Sequence, residues 1–196
     1  SQFQPDLGDA IHAVQAASGG DWQVESVLDE GHDGWDTRIT VDAQGRPHIS
    51  AIDPVEFDGA GVEYYYRDDA GKWTVESVGS APLTYKWATS IAVDPAGNPH
   101  ISYYEENSKD LLLASRGAGW SISTVDSDGD TGLFASLVID GEGRFHLSYL
   151  QRESPSSGVI KYATRGVGET EWEIRPVDTL DNLEFGFLGA RNITSV

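Results

Sequence analysis

The sequence predicts an all-β fold made of a repeated four-stranded unit, and three observations lead to this prediction. A tryptophan followed by alternating β-forming residues occurs four times, at spacings of 51, 47 and 52 residues. A turn that begins with aspartate and is followed by a strand containing histidine occurs three times, at a similar spacing. No segment keeps an apolar period of about 3.6 residues, so helix is not expected. Repeats of about 40 to 50 residues built from short strands are typical of a β-propeller, with one blade per repeat. The tryptophans are Trp22, Trp73, Trp120 and Trp172.

The second full repeat illustrates how four strands follow from the residues. Residues 89–93 alternate small or polar with apolar side chains, and the Asp94 to Asn98 segment carries the proline and glycine of a turn. Pro99 opens the next strand, where a proline loses no ladder hydrogen bond. The predicted strands of this repeat are 89–93, 99–104, 111–116 and 120–125. Those of the first full repeat are 37–42, 47–53, 62–68 and 73–78, and those of the third are 135–140, 145–150, 159–165 and 172–177.

The repeats predict a single propeller over residues 1–196, with blades at about 37–78, 89–125 and 135–177. A fourth, split blade comes from 1–27 and 191–196, because the chain starts in phase with a second strand and stops in phase with a first. We expect the two ends to close this blade by pairing with each other. The alternative is completion by another chain, as a homodimer or with a partner propeller fragment, since unpaired edge strands invite aggregation.

Composition limits the partners. The formal net charge is −19, from 32 acidic and 13 basic residues, and such a field repels phosphate backbones. A nucleic-acid partner is therefore not expected. The sequence has no run of eighteen apolar residues, so no membrane span is predicted. The chain has no cysteine, which excludes disulfides, thiolate metal sites and thiol nucleophiles.

The repeated histidines and aspartates are predicted to be structural. His48, His100 and His146 occupy the same strand position one blade apart, so each meets the same packing environment. A functional site normally breaks repeat symmetry, because one ligand needs different groups on different sides. The matching aspartates Asp42, Asp94 and Asp140 are expected to cap their own turns.

The connections between blades vary while the strands repeat, and function is commonly carried by such loops. They collect acids and aromatics, which suit a sugar: a ring covers its apolar face and carboxylates accept its hydroxyl protons. The competing interpretation is that these aromatics fill the central channel or pack between blades. The predicted ligand-binding residues are Asp33, Trp35, Asp36, Tyr85, Trp87 and Phe134.

One of these connections contains a possible metal site. Asp126, Asp128 and Asp130 alternate as at the start of a calcium loop. The glycine expected next is displaced to position 132, and Leu137 stands where the twelfth-position glutamate belongs. Calcium is therefore a possible cofactor, with a solvated acidic turn as the alternative.

The tandem pattern V-D-x-x-G-x-P-H-I-S-Y-Y resembles that of secreted bacterial β-propeller repeat proteins, and in outline the chain is similar to propeller lectins. The sialidase box S-x-D-x-G-x-T-W is not met. The resemblance implies an extracellular, cell-surface or periplasmic location. The regular repeats, the lack of an asymmetric catalytic cluster in the sequence and the scarcity of basic residues favour a non-enzymatic binding module for a carbohydrate or protein ligand on the loop face. The alternative is a polysaccharide lyase or glycoside hydrolase using acids such as Asp33, Asp36, Asp128 and Glu184.

Overall fold

A computed structural model describes residues 11–15, 19–27, 35–53, 61–80 and 89–181. Within these ranges the protein is all-β, with fourteen strands and no helix. The strands are β1 (Ile11–Gln15), β2 (Trp22–Ser26), β3 (Trp35–Val41), β4 (Pro47–Asp53), β5 (Gly61–Arg67), β6 (Trp73–Ser80), β7 (Ser90–Val93), β8 (Pro99–Glu105), β9 (Asp110–Arg116), β10 (Trp120–Asp126), β11 (Asp130–Ile139), β12 (Phe145–Ser154), β13 (Ser157–Arg165) and β14 (Glu173–Asp181).

Twelve of these strands form three four-stranded antiparallel sheets, and in each sheet every strand pairs with its sequence neighbours. We call them the first sheet (β3–β6), the second sheet (β7–β10) and the third sheet (β11–β14). The strands β1 and β2 form a separate two-stranded hairpin. The sheets resemble propeller blades, so the predicted all-β fold class is confirmed.

The hydrophobic core lies between successive sheets. Ile52, Val62 and Tyr64 of the first sheet pack against Ile101 and Tyr103 of the second, and all five are at most 1% exposed. A second cluster joins the second and third sheets in the same way. Fully burying one such aliphatic or aromatic side chain contributes roughly 1.5 to 3 kcal/mol, so these interfaces hold the sheets together.

The tryptophans that open the fourth strands belong to these interfaces. Trp120 packs against the cluster between the first and second sheets, and Trp172 packs against the cluster between the second and third. Trp73 is 8% exposed beside Val27 of the hairpin. Trp22 is 64% exposed.

The third sheet departs from the prediction at its first strand. The sequence suggested a connection from Asp126 to Phe134, but β11 already begins at Asp130. Thr131 pairs with Gln151, so the extra residues extend the ladder of the third sheet. The Thr131 amide also donates to the carbonyl of Lys109, which precedes β9 of the second sheet, at 3.0 Å. The register shifts twice before Ser136. Such shifts are β-bulges, which absorb added residues by bending the strand.

The predicted pairing of the two chain ends concerns residues 1–10 and 191–196, which lie outside the described residues. In the part of the chain that the structure describes, no helix is long and apolar enough to cross a membrane.

Candidate ligand-binding grooves between the sheets

The turn after the first strand of each sheet has the same construction, and we call the end of the sheets that carries these turns the turn end. Each turn aspartate accepts the backbone amides of the residues two and four positions later, at 2.8 to 2.9 Å. The glycine three positions after the aspartate has a φ between 76° and 90°, which favours glycine. The predicted cap by Asp42, Asp94 and Asp140 is confirmed.

The three repeated histidines join the second strand of each sheet to its third strand and its turn. Nδ1 faces a hydroxyl on the third strand, and Nε2 faces the turn aspartate at 3.2 to 3.5 Å. The Nδ1 partners are Tyr64 for His48, Ser115 for His100 and Tyr162 for His146. The hydroxyl partner changes for His100 because Leu113 occupies the place of the two tyrosines. The predicted structural role of the histidines is confirmed.

At the turn end a cavity of about 270 Å³ opens between the first and second sheets, and we call it the first groove. Pockets for drug-sized ligands span about 300 to 1,000 Å³, so this one suits a smaller molecule. Its lining is rich in cationic and aromatic side chains, although the whole chain is strongly acidic. The lining side chains include Arg46, His48, Tyr64, Tyr66, Arg67, Asp68 and Arg116.

A stack of aromatic rings and a guanidinium forms one wall of the first groove. The Tyr64 and Tyr66 rings lie 5.2 Å apart with an angle of 11° between their planes. The Arg116 guanidinium carbon lies 5.2 Å from the centre of the Tyr66 ring. A hydrogen bond to Glu76, together with burial, raises the pKa of Tyr66. The half-buried Tyr66 ring is therefore fixed in place.

Each arginine of the first groove has a carboxylate beside it. Arg46 Nε donates to Asp42 Oδ2 at 2.6 Å, and Arg67 pairs with Glu25. Burial opposes ionisation of Asp42, but hydrogen bonds from the amide and guanidinium of Arg46 and from the Gln44 amide outweigh it and hold its pKa at about 2. The groove therefore offers many N–H donors without an excess of positive charge.

The third arginine is held most completely. Arg116 donates Nε to Glu76 Oε2 at 2.8 Å and Nη2 to Oε1 at 2.6 Å. Trp120 Nε1 donates to the same Oε2 at 3.0 Å. The Arg116 hydrogen bonds hold the pKa of Glu76 below its ordinary value, and Glu76 raises the pKa of Arg116.

This arrangement recurs between sheets, and we call it a clasp. A clasp consists of three residues from two neighbouring units. The acid lies on the last strand of one sheet or of the hairpin. In the next sheet the arginine ends the third strand and the tryptophan opens the fourth. The first clasp, from the hairpin to the first sheet, is Glu25, Arg67 and Trp73; the second, from the first to the second sheet, is Glu76, Arg116 and Trp120.

A second groove, of about 370 Å³, lies at the turn end between the second and third sheets. Its position matches that of the first groove one repeat earlier, since Gly143, Phe145 and Arg165 stand where Gly97, Pro99 and Arg116 stand. Its walls are more apolar, with Pro95, Ala96 and Val167 among the lining residues.

Two of the predicted ligand residues lie at the start of β3, at the end of the first sheet away from its turn. Trp35 is the first residue of β3, and Asp36 follows with a φ of 50° and a pKa raised by burial. Asp33, Tyr85 and Trp87 lie outside the described residues. The loop face built from them stays a prediction.

Phe134 differs from its predicted exposure to ligand. It is 9% exposed and packs with Tyr104, Leu133 and Leu150 in a core cluster. The physical reason is the early start of β11, which places Phe134 within a sheet instead of in a loop.

The three aspartates of the possible calcium site have protein partners in the structure. Buried Asp126 accepts the Asp128 amide at 2.9 Å, Lys161 Nζ at 3.0 Å and Tyr149 Oη at 2.8 Å, and these bonds outweigh burial and lower its pKa. Asp130 pairs with Arg152, whereas the Asp128 side chain is 82% exposed. Among the described residues no group of three acids or histidines is arranged to hold a metal ion. The geometry therefore gives the calcium prediction no support.

The clasps and grooves escaped the sequence analysis, although a signal exists. Arginine ends the third strand of every sheet at intervals of 49 residues, as Arg67, Arg116 and Arg165. The glutamate of W-x-V-E-S-V recurs as Glu25 and Glu76. Regular recurrence suggested packing roles, and only the structure shows that packing residues of neighbouring sheets also line a cavity.

No protein-family model matches the chain, and no curated protein matches it. The solved structures that are similar in shape include the following three. A fucose lectin from Kordia zhangzhouensis, in complex with methyl-fucoside, matches with a TM-score of 0.49 and 14% identity over 71% of this chain and 96% of the lectin. A protein of unknown function from Dyadobacter fermentans matches with a TM-score of 0.45 and 12% identity, covering 74% of this chain and 52% of that one.

A bifunctional GH43-CE protein of Bacteroides eggerthii matches with a TM-score of 0.48 and 14% identity, and the match covers 74% of this chain and only 19% of that protein. Likenesses at these values carry no argument about what this chain binds.

Proposed function

We propose that the protein is a non-enzymatic carbohydrate-binding module that holds a small neutral sugar in the first groove. The observation that carries this proposal is the groove's lining, in which a fixed Tyr66 ring faces the cavity together with Arg46, Arg67 and Arg116. The extracellular or cell-surface location expected from the sequence is part of the proposal.

The aromatic wall supports a sugar. One face of a pyranose carries C–H groups, and an aromatic ring covers such a face at little cost in entropy because it has few rotatable bonds. Tyr66 stays in position because it stacks on Tyr64 and has the Arg116 guanidinium against its ring. A cavity of about 270 Å³ has room for one or two rings of this kind.

The paired arginines support a neutral ligand. A guanidinium has five N–H donors, and a carboxylate partner engages only one or two of them. Arg67 Nη1 also donates to the Gly71 carbonyl at 2.8 Å, and the donors that remain on the three arginines can bind sugar hydroxyl oxygens. Because Asp42, Glu25 and Glu76 offset the three positive charges, the groove has no strong preference for an anion.

A glycan array followed by titration calorimetry tests the proposal. Tyr66→Thr places in the first sheet the residue that Thr164 supplies in the third, and it removes the aromatic face. We expect it to weaken binding of the best neutral sugar by about tenfold, equivalent to about 1.4 kcal/mol. Tyr66→Phe is the matched control and keeps the affinity within about twofold, because the face remains.

Two results would contradict the proposal. Loss of binding in Trp87→Ala, with Tyr66→Thr unaffected, would return the site to the predicted loop face. Release of reducing sugar from a bound oligosaccharide would establish the hydrolase alternative instead.

A further inference from the structure

The third clasp position differs from the first two, and the difference is a missing acid. The fourth-strand residue that is glutamate at 25 and 76 is Ser123 in the second sheet. Ser123 is exposed, and its hydroxyl donates to the Leu113 carbonyl at 3.5 Å. The third sheet nevertheless has the arginine and the tryptophan of a clasp, Arg165 and Trp172.

Arg165 consequently has no carboxylate partner among the described residues. Its guanidinium carbon lies 4.4 Å from the centre of the Trp172 ring and 5.0 Å from that of the Phe145 ring, so both rings contact it. Burial without a compensating acid lowers the pKa of Arg165, whereas the pKa of Arg116 is raised. A half-buried guanidinium that keeps its charge without an acid is an energetic cost that a bound anion offsets.

The indole nitrogens of the tryptophans do not distinguish the third clasp from the first. Trp172 Nε1 is buried without a hydrogen-bond partner, but so is Trp73 Nε1, even though Glu25 lies nearby. The contrast between the clasps therefore rests on the arginines.

The remaining charges around the second groove have other roles. Asp94 accepts the Ala96 and Asn98 amides and faces His100. Glu169 accepts the Gly166 amide at 2.6 Å and has the Arg144 side chain at 4.0 Å. Glu142 lines the mouth and is exposed to solvent. Arg165 is the uncommitted cation of this groove.

We propose that the second groove binds an acidic sugar, whose carboxylate accepts hydrogen bonds from Arg165. The sugar carboxylate thus does for Arg165 what the Glu76 carboxylate does for Arg116. This inference rests on the proposed sugar-binding function. The second clasp supplies the geometry: two parallel N–H···O bonds of 2.6 to 2.8 Å from one guanidinium, the pairing that makes arginine suited to carboxylates. The apolar walls at Pro95, Ala96 and Val167 face the sugar ring.

Titration calorimetry with two matched ligands tests this site. Methyl glucuronide and methyl glucoside differ only in carrying a carboxylate or a hydroxymethyl group. The wild-type protein should bind the glucuronide about tenfold more tightly, the discrimination expected of one charged hydrogen-bonded contact. Ser123→Glu should abolish the preference, because the new side chain occupies Arg165. Ser121→Glu is the matched control, since it adds the same charge two residues away on the same exposed strand and should keep the preference.

The reverse substitution sharpens the test. Glu76→Ser frees Arg116 and should create a second glucuronide site in the first groove, doubling the measured stoichiometry. If this variant does not fold, Glu76→Gln serves, because it keeps the shape and removes the charge.

The inference is overturned if wild type binds both ligands equally or if Ser123→Glu keeps the preference. Acetate that competes as well as the glucuronide would overturn the acidic-sugar assignment. The proposed function fails separately, because it requires neutral-sugar binding that depends on Tyr66. A glucuronide preference without such binding would remove the first-groove function and leave the Arg165 site standing.

Discussion

The second and third clasps occupy equivalent places in successive repeats and differ at one side chain. In the second clasp Glu76 takes two hydrogen bonds from Arg116 and one from Trp120, so the arginine is a cross-link between sheets. In the third clasp Ser123 donates to the Leu113 carbonyl, and the Arg165 guanidinium lies against the Trp172 and Phe145 rings at the edge of a groove.

A repeated scaffold generates distinct sites when one side chain changes between repeats. In each sheet an arginine ends the third strand. The side chain that the preceding sheet presents to this arginine determines its role. A glutamate there commits it to holding sheets together, and a serine leaves it available to a ligand. Replacing one acid can therefore change the role of the arginine from a structural contact to ligand binding, without changing the fold.

The largest expected effect concerns the tryptophans of the two clasps. Trp120→Ala should lower the free energy of unfolding by about 3 to 5 kcal/mol, the range for large core truncations. Trp172→Ala should cost about 1 kcal/mol less, because no hydrogen bond to a carboxylate is lost with it. Trp22→Ala, at a residue that is 64% exposed, is the control and should change stability by less than about 0.5 kcal/mol. Equal losses for all three in urea denaturation would refute the distinction.

A smaller effect is expected from exchanging the acid between clasps. Glu76→Ser should destabilise by about 1 to 2 kcal/mol, since it removes partly exposed charge-assisted hydrogen bonds. Ser123→Glu should stabilise by up to about 1 kcal/mol by giving Arg165 a partner. Both values come from shifts in the denaturant midpoint. A destabilising Ser123→Glu would indicate that the third clasp cannot adopt the geometry of the second.

The pH dependence gives the smallest effect. Hydrogen bonds from Arg116 lower the pKa of Glu76 from an ordinary value of 4.5, so the folded state binds protons less readily than the unfolded chain. This contribution to stability is complete above the ordinary pKa and disappears as the pH falls through the lowered one. Glu76→Ser should therefore lose less stability than wild type when the pH is lowered from about 5 to about 3. The comparison is made by thermal unfolding at each pH, and identical curves would remove Glu76 from the account.

The fold could be predicted because the repeat carries it. Strand periodicity, the turn aspartates and the positions of Pro47 and Pro99 are local signals, and local signals set where strands begin and end. The predicted strands agree with the structure in the first and second sheets. The third sheet departed because a bulged strand absorbs the residues from Asp130 to Phe134, and bulges leave no clear sequence period.

The grooves could not be predicted because they depend on distances between repeats. Arg116 and Glu76 are 40 residues apart in sequence, and nothing in the linear order states that they meet. The expectation that variable loops carry function also drew attention to the opposite end of the sheets. Asp126, Asp128 and Asp130 illustrate the same limit, since their partners Lys161 and Arg152 lie on β13 and β12.

Hydrogen exchange with and without the best neutral sugar tests the central claim most directly, because it locates the ligand without altering any side chain. If the sugar binds in the first groove, amide exchange should slow in the turns at 42–47 and 94–99, which border that groove, with little change at 28–36 and 81–88. Protection concentrated in 28–36 and 81–88, with the two turns unchanged, would contradict the claim and place the ligand on the loop face.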